Sequence, residues 1–261
     1  MLKREEQRQQ AAPKLYTSFA HYYDRLESQY RNYEEDSRWI DALLIKHSAR
    51  NVIDISCGTG NHITRLSELN RDRLTAAIDS SREMISVASK KDADGNVEFG
   101  LADFFNIPFR ARWDSAICMY WSLAGLDGDL VLKLFREVHS ILSNGGLFIF
   151  DVENADGIKE NLIDAPFIDS FFQDGDVSVI RANYSRKAAK DLVDWHAYYL
   201  FEESGVSRLV EDRMNLRFYS RNQLESLLSE AGFETIEVSS GPFKTFEKNS
   251  PSLYFVARKL G

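Results

Sequence analysis

Five short apolar segments, separated by stretches with helical spacing, constrain the fold of this chain more than any other feature. The segments are "NVIDIS" (51–56), "LTAAID" (74–79), "VEFGLAD" (97–103), "SAICMYW" (115–121) and "GLFIFDV" (146–152). Between them lie "HITRLSEL", "SREMISVASKK" and "DLVLKLFREVHSIL", the last placing Leu130, Leu134, Val138 and Ile141 on one stripe. Parallel neighbours need a crossover, and a crossover helix shields the sheet face it passes, so such strands are apolar on both faces. The pattern predicts a doubly wound α/β domain with a mostly parallel sheet.

After the fifth segment the rhythm changes. "FFQDGDVSVIRANYSRKAAKDLVDWHAYYLFEESGVSRLVEDRMNLRFYS" alternates in polarity and is punctuated by "KD" and "ESG" turn signals. It reads as an antiparallel ribbon, inserted over 160–218 and placed to roof the sheet. "SRNQLESLLSEAGF" follows as a helix, with Ser220 as its cap, Gln223 three residues on and Gly232 past its end. "TIEVSS" and "SLYFVARK" supply two last strands. Ahead of the first strand, 14–48 holds two helical stretches rich in aromatic rings: Tyr16, Phe19, Tyr22, Tyr23, Tyr30, Tyr33 and Trp39. These rings either pack on the sheet or form a helical lid over a ligand. No repeat or low-complexity linker divides the chain, so 1–261 is expected to be one domain.

Composition narrows the function. The net charge is −8, with 32 Lys and Arg scattered among 40 Asp and Glu, so nothing offers a footprint for long nucleic acid. Cys57 and Cys118 lack the paired spacing of a metal or redox site and are expected to be reduced core thiols, with no metal bound. "MLKREEQRQQAAPKLY" lacks the apolar centre of a secretory leader, and no apolar run is long enough to span a bilayer. A cytoplasmic protein with no membrane partner is expected, as a monomer or homodimer.

The chemistry concentrates in "VIDISCGTGNH", from Val52 to His62. In a doubly wound sheet, ligands sit beyond the carboxyl ends of the strands, beside the turn after the first strand. Gly58 and Gly60 permit close approach of a ligand to the backbone there, and the next helix offers free N–H groups. The carboxylate of Asp54 argues against a diphosphate and for a ligand bearing an ammonium group. The dinucleotide fingerprint G-x-G-x-x-G and the phosphate loop ending G-K-[ST] are both absent. Asp79 ends the second strand, positioned to accept two ribose hydroxyls. Asp103 ends the third and is a candidate acceptor for an adenine amine, with the Phe104 N–H donating to a ring nitrogen. Adenosine with an amine-bearing tail is S-adenosylmethionine.

On these residues the chain resembles the class I S-adenosylmethionine-dependent methyltransferases, in particular the glycine and amino-sugar N-methyltransferase branch. "VIDISCGTGNHITRL" is similar to their first motif, with Ser56 at the usual glycine or alanine. "IDSSREMI", "LADFFNIPF", "WDSAICMYWSLAGL", "LSNGGLFIFDVEN" and "FYSRNQLESLLSEAGFETIEV" resemble the later ones, and "YYDRLESQYRNYEED" resembles the stretch whose later tyrosine, here Tyr33, helps hold the cofactor tail. The resemblance implies a seven-stranded Rossmann-like sheet and a cofactor site made by Tyr23, Tyr33, Asp54, Ser56, Cys57, Gly58, Gly60, Asp79, Ser80, Met84, Asp103, Phe104 and Met119. Glu27 stands where the amino-sugar enzymes carry a tyrosine near the reacting centre.

The implied reaction is direct displacement on an activated methyl, governed by in-line placement of a small-molecule amine or hydroxyl acceptor. A hydroxyl would gain from a base, for which Glu27, His196 and, less so, His21 are candidates. Trp121 and Ser122 follow the fourth strand, where the family's chain passes the methyl and the substrate. Tyr184, Arg181 and Arg217 in the ribbon are candidates for the substrate cavity, the arginines favouring an anionic group. Methylation of a tRNA base and a cofactor-binding protein without catalysis are the alternative readings, the first opposed by the acidic balance.

Overall fold

The structure, a computed structural model, describes residues 13–27, 30, 32–109, 113–157, 165–189 and 191–261. After two short 3-10 turns (Lys14–Tyr16 and Ala20–Tyr22) come α1 (Tyr23–Glu27) and α2 (Tyr33–Lys46). The alternating region then gives β1 (Asn51–Asp54), α3 (Asn61–Leu69), β2 (Leu74–Asp79), α4 (Arg82–Lys91), β3 (Val97–Leu101), β4 (Trp113–Cys118), α5 (Gly128–Ile141) and β5 (Leu142–Glu153). Four strands follow, β6 (Phe167–Asp174), β7 (Val177–Lys187), β8 (Leu192–Glu203) and β9 (Val206–Arg217), and the chain ends with α6 (Arg221–Glu230), β10 (Phe233–Ser239) and β11 (Ser252–Lys259).

Seven strands form one sheet in the order β10-β11-β5-β4-β1-β2-β3. β1 runs parallel to β2 and β4, as β2 does to β3 and β4 to β5, while β11 is antiparallel to both its neighbours. The chain leaves β1 toward β3 and then returns to β4 on the other side, so strand order reverses at the β1/β4 boundary. Successive residues feed opposite cores, as strand periodicity requires. Ile53, Ile78, Phe148 and Phe150 face Phe135, Leu134, Leu224 and Leu228 on one side. Val52, Ala77, Ile117 and Ile149 face Trp39, Ile40, Leu43, Leu44, Ile63 and Leu66 on the other. The aromatic N-terminal stretch therefore divides: α2 is a core layer, and the segment from Pro13 to Glu27 lies against the ribbon strands and the open end of the large sheet. At α6, Ser220 and Gln223 form the capping box that fixes where this helix starts.

The ribbon is a separate antiparallel sheet, β6-β7-β8-β9. Its inner face carries Val179, Ala197, Tyr199 and Phe201 against Leu15, Phe19 and Leu26. The outer face bears a row of apolar side chains in register across all four strands, Phe171, Ile180, Leu200 and Leu209. Phe171 and Leu209 are 62% and 71% exposed. The N-terminal segment is fastened to this sheet by Asp212, whose carboxylate accepts from the N–H groups of Lys14 and Leu15 at 2.8 and 2.9 Å, and by Ser170, which donates to the Leu26 carbonyl.

Candidate active site

A cavity of about 660 Å³ opens beyond the carboxyl ends of β1, β2 and β4. Both sheets wall it, since Arg213–Leu216 of β9 face the turns that follow β1 and β4. That volume lies within the range of small-molecule and cofactor sites.

The turn after β1 is stitched to its neighbours by Ile55 N–H to Ile117 O and Cys57 N–H to Ile78 O, both 3.0 Å. Gly60, with φ +77°, caps α3, and a Cβ there would stand 2.9 Å from the Ala88 Cβ, so α4 packs too closely for any side chain. Asp54 lies under the turn, 1% exposed, and accepts from the Ser56 N–H at 3.3 Å. Burial pushes its carboxyl up to about 7, and the nearby Asp79 charge adds to the shift. Asp79 accepts from Gly58 N–H at 2.9 Å and Ser81 N–H at 2.8 Å; burial raises its pKa while these donors oppose the rise. Neither acid has a cationic side chain beside it among the described residues.

A second anchorage of the N-terminal segment closes over this turn. Asp24 of α1 accepts from Thr59 Oγ1 at 2.6 Å and Asn61 Nδ2 at 2.9 Å, and pairs with Lys91, which also donates to Asn61 Oδ1. Ser81 Oγ donates to the Tyr16 carbonyl at 2.5 Å.

On the far side of β1, the turn after β4 is clamped by two carboxylates. Tyr120 and Trp121 have φ of +61° and +59°, a conformation costing on the order of 1–3 kcal/mol per non-glycine residue. Asp151 holds it by accepting both their N–H groups, at 2.5 and 3.4 Å. Asp36 of α2 accepts from the Tyr120 hydroxyl at 2.6 Å. The Tyr120 ring packs against those of Tyr33 and His62, with centroids 4.9 and 4.7 Å away.

Of the residues expected at the site, Tyr23, Tyr33, Ser56, Cys57, Gly58, Asp79, Ser80, Met84, Met119, Trp121 and Ser122 line the cavity. Asp54 and Gly60 lie just behind its wall. Asp103 and Phe104 do not line it: Asp103 is exposed and accepts from the Phe105 N–H, Phe104 packs edge-on against Phe105, and Leu101 faces the cavity instead. The ribbon candidates also stand away from the wall. Arg181 faces the inner side of its sheet, where it binds Asp169 and Glu27, so Glu27 is buried in an ion pair. His196 shares the outer face with Tyr184, which stacks on it at 4.7 Å and helps bury it to 8% exposure between Asp194 and Glu211. Arg217 pairs with Asp191 at 2.7 Å, its N–H bonded to the Ala124 carbonyl. His21 of the second 3-10 turn is absent from the wall as well.

Contributors not anticipated at the wall include Asp36 behind Tyr120, the Tyr120 ring, His62 as a lining residue, and the Met214–Leu216 stretch. Asp36 follows Tyr33 by three residues on α2 and so shares its face, which is a readable signal. The positive φ pair has none. No group of three or more His, Cys, Asp or Glu able to hold a metal occurs among the described residues, and none of their helices is long and apolar enough to cross a membrane.

Residues 52–146 match the family described as a methyltransferase domain. The chain is similar to YqeM of Bacillus subtilis, whose name places it among methyltransferases without a substrate: 28% identity over 250 residues, 94% of this chain and 97% of that protein. It is similar to a glycine/sarcosine N-methyltransferase of Parasynechococcus marenigrum, at 27% over 248 residues, 92% and 83% of the two chains. A solved S-adenosylmethionine-dependent methyltransferase from Clostridium acetobutylicum shares the fold with a TM-score of 0.80 at 23% identity, covering 94% and 98%. The large sheet thus shares the Rossmann-like fold of that solved structure, with a four-stranded antiparallel sheet beside it.

Proposed function

We propose that this chain, a class I S-adenosylmethionine-dependent methyltransferase, carries the donor's methyl group to a small-molecule acceptor, and that the acceptor atom is an amine nitrogen. One observation carries the reading: the turn after β1 holds a buried carboxylate, Asp54, with Asp79 nearby and no cationic side chain to balance either among the described residues. A buried charge calls for a partner. The donor's α-ammonium suits Asp54, its ribose hydroxyls suit Asp79, and Met84 and Leu101 offer apolar surface to a base. These groups fit the cofactor.

When bound, the donor supplies a methyl carbon already activated by a positive sulfur. The residues of the chain then need only hold, orient and exclude water. Met119, Trp121 and Ser122 on the clamped turn form one wall for the acceptor, and Met214–Leu216 of β9 form another. Glu27 and His196 lie outside the cavity; His62, Asp79 and Glu83 are the described lining residues that could take a proton from a hydroxyl acceptor. A neutral amine needs none, because its proton passes to water after transfer. The similarity to a glycine/sarcosine N-methyltransferase supports nitrogen further.

The test is incubation of the full chain with methyl-labelled donor and a panel of amines, amino sugars, phenols and tRNA. Labelled N-methyl product is the expected result. Labelling confined to phenols or tRNA rejects the amine reading, and binding of the demethylated product without any turnover rejects catalysis.

A further inference from the structure

Asp36 is a buried acid that the mechanism above does not use. It is 3% exposed, and among the described residues its side chain meets the Tyr120 hydroxyl and, at 3.7 Å, His62 Nε2. No lysine or arginine approaches it among the described residues. It stands on the first turn of α2, whose positive end compensates part of its charge. In front of it, Tyr33, His62 and Tyr120 converge on one corner of the cavity, their centroids 4.7 to 5.3 Å apart. His62 is 4% exposed, and its Nε2 has no hydrogen-bond partner among the described residues. Electron-rich rings backed by a carboxylate attract a cation.

We infer that this corner is a subsite that reads the positive sulfur of the methyl donor, with Asp36 as a positioning residue that acts through Tyr120. The inference rests on the methyltransferase reading and deepens it. The donor carries two cationic groups, and beside the cavity stand Asp54 at one turn and Asp36 behind the other, both buried and with no lysine or arginine close by among the described residues. Transfer breaks the methyl carbon–sulfur bond, whose electron pair stays on sulfur, while the nitrogen lone pair forms the new bond. The positive charge passes to the methylated nitrogen, which sheds a proton to water. Sulfur is then neutral, and the corner loses the charge it attracted.

Calorimetric titration of the full chain with S-adenosylmethionine and S-adenosylhomocysteine tests this without any acceptor. Asp36→Asn keeps an oxygen for the Tyr120 hydroxyl but removes the charge. It is expected to weaken donor binding at least tenfold and product binding less than threefold. Tyr120→Phe, read in the same way if the first variant fails to fold, is expected to lower donor affinity about threefold more than product affinity. Equal weakening of both ligands in either variant shows a merely structural role and overturns the inference, as does unchanged donor affinity. If the unaltered chain binds neither ligand, the methyltransferase reading itself falls.

Discussion

The two sheets reach stability by different routes. In the seven-stranded sheet, β1, β4 and β5 are buried on both faces, and nearly every inward side chain is aliphatic or aromatic. The four-stranded sheet has one covered face, and inside it the buried Arg181 is balanced by Glu27 and Asp169. Its other face leaves Phe171, Leu200 and Leu209 in water. Apolar burial contributes in proportion to area, whereas a buried ion pair stabilises little and is costly to break. The large sheet therefore sets the glycine turn after β1 rigidly. The small one supplies a wall whose position depends on a few polar contacts.

The largest effect that would break this contrast lies at the glycine turn. The Asp54 carboxyl titrates at about 7 in the folded chain against a usual 3.8, so folding favours its protonated form. Its stabilising contribution is complete below about pH 4 and is lost as pH rises through 7, while donor binding needs the ionised form. Asp54→Asn is expected to reduce donor affinity about a hundredfold by calorimetry, yet raise the ligand-free stability by about 2–4 kcal/mol at pH 8. In the unaltered chain, donor affinity should fall as pH drops below 7; a flat profile would reject the pairing.

Next in size, Arg181→Met in the small sheet leaves Glu27 and Asp169 buried without that guanidinium and should cost about 3–5 kcal/mol in urea unfolding. The same variant, while folded, should bind donor within about threefold of normal; a larger loss would mean that the two sheets are less separable than their cores suggest. Asp24→Ala cuts the tie between α1 and the glycine turn. Donor dissociation, followed by stopped flow, should speed up about tenfold for a stability loss of about 1 kcal/mol. Leu200→Thr on the outer row should change stability by less than about 0.5 kcal/mol and leave binding untouched.

The large sheet was legible because its two periodicities, apolar runs and helical stripes, are local. The glycine turn and Asp79 were legible for the same reason: strand ends and the turn after the first strand fix where a side chain points. Asp103 does not line the cavity: a strand-end aspartate closes its own turn as readily as it meets a ligand, and here its Oδ1 takes the Phe105 N–H. The ribbon was recognisable as antiparallel, yet its alternation did not reveal partners. His196 lies on the outer face, but stacking with Tyr184 buries it, and that depends on cross-strand register between β7 and β8. Arg181 meeting Glu27 joins residues 154 apart in sequence. Such contacts follow from packing of whole layers, which no local pattern encodes.

The segment from Pro13 to Glu27 bonds Asp212 and Ser170 on the small sheet at some points, and Thr59 and Asn61 at the glycine turn and Ser81 at the turn after β2 at others. Warming that loosens the smaller layer must therefore pull on the roof of the cavity while the helices packed on the larger layer still stand. The capacity to retain a ligand then has its own, lower melting point, reached before circular dichroism registers a loss of helix.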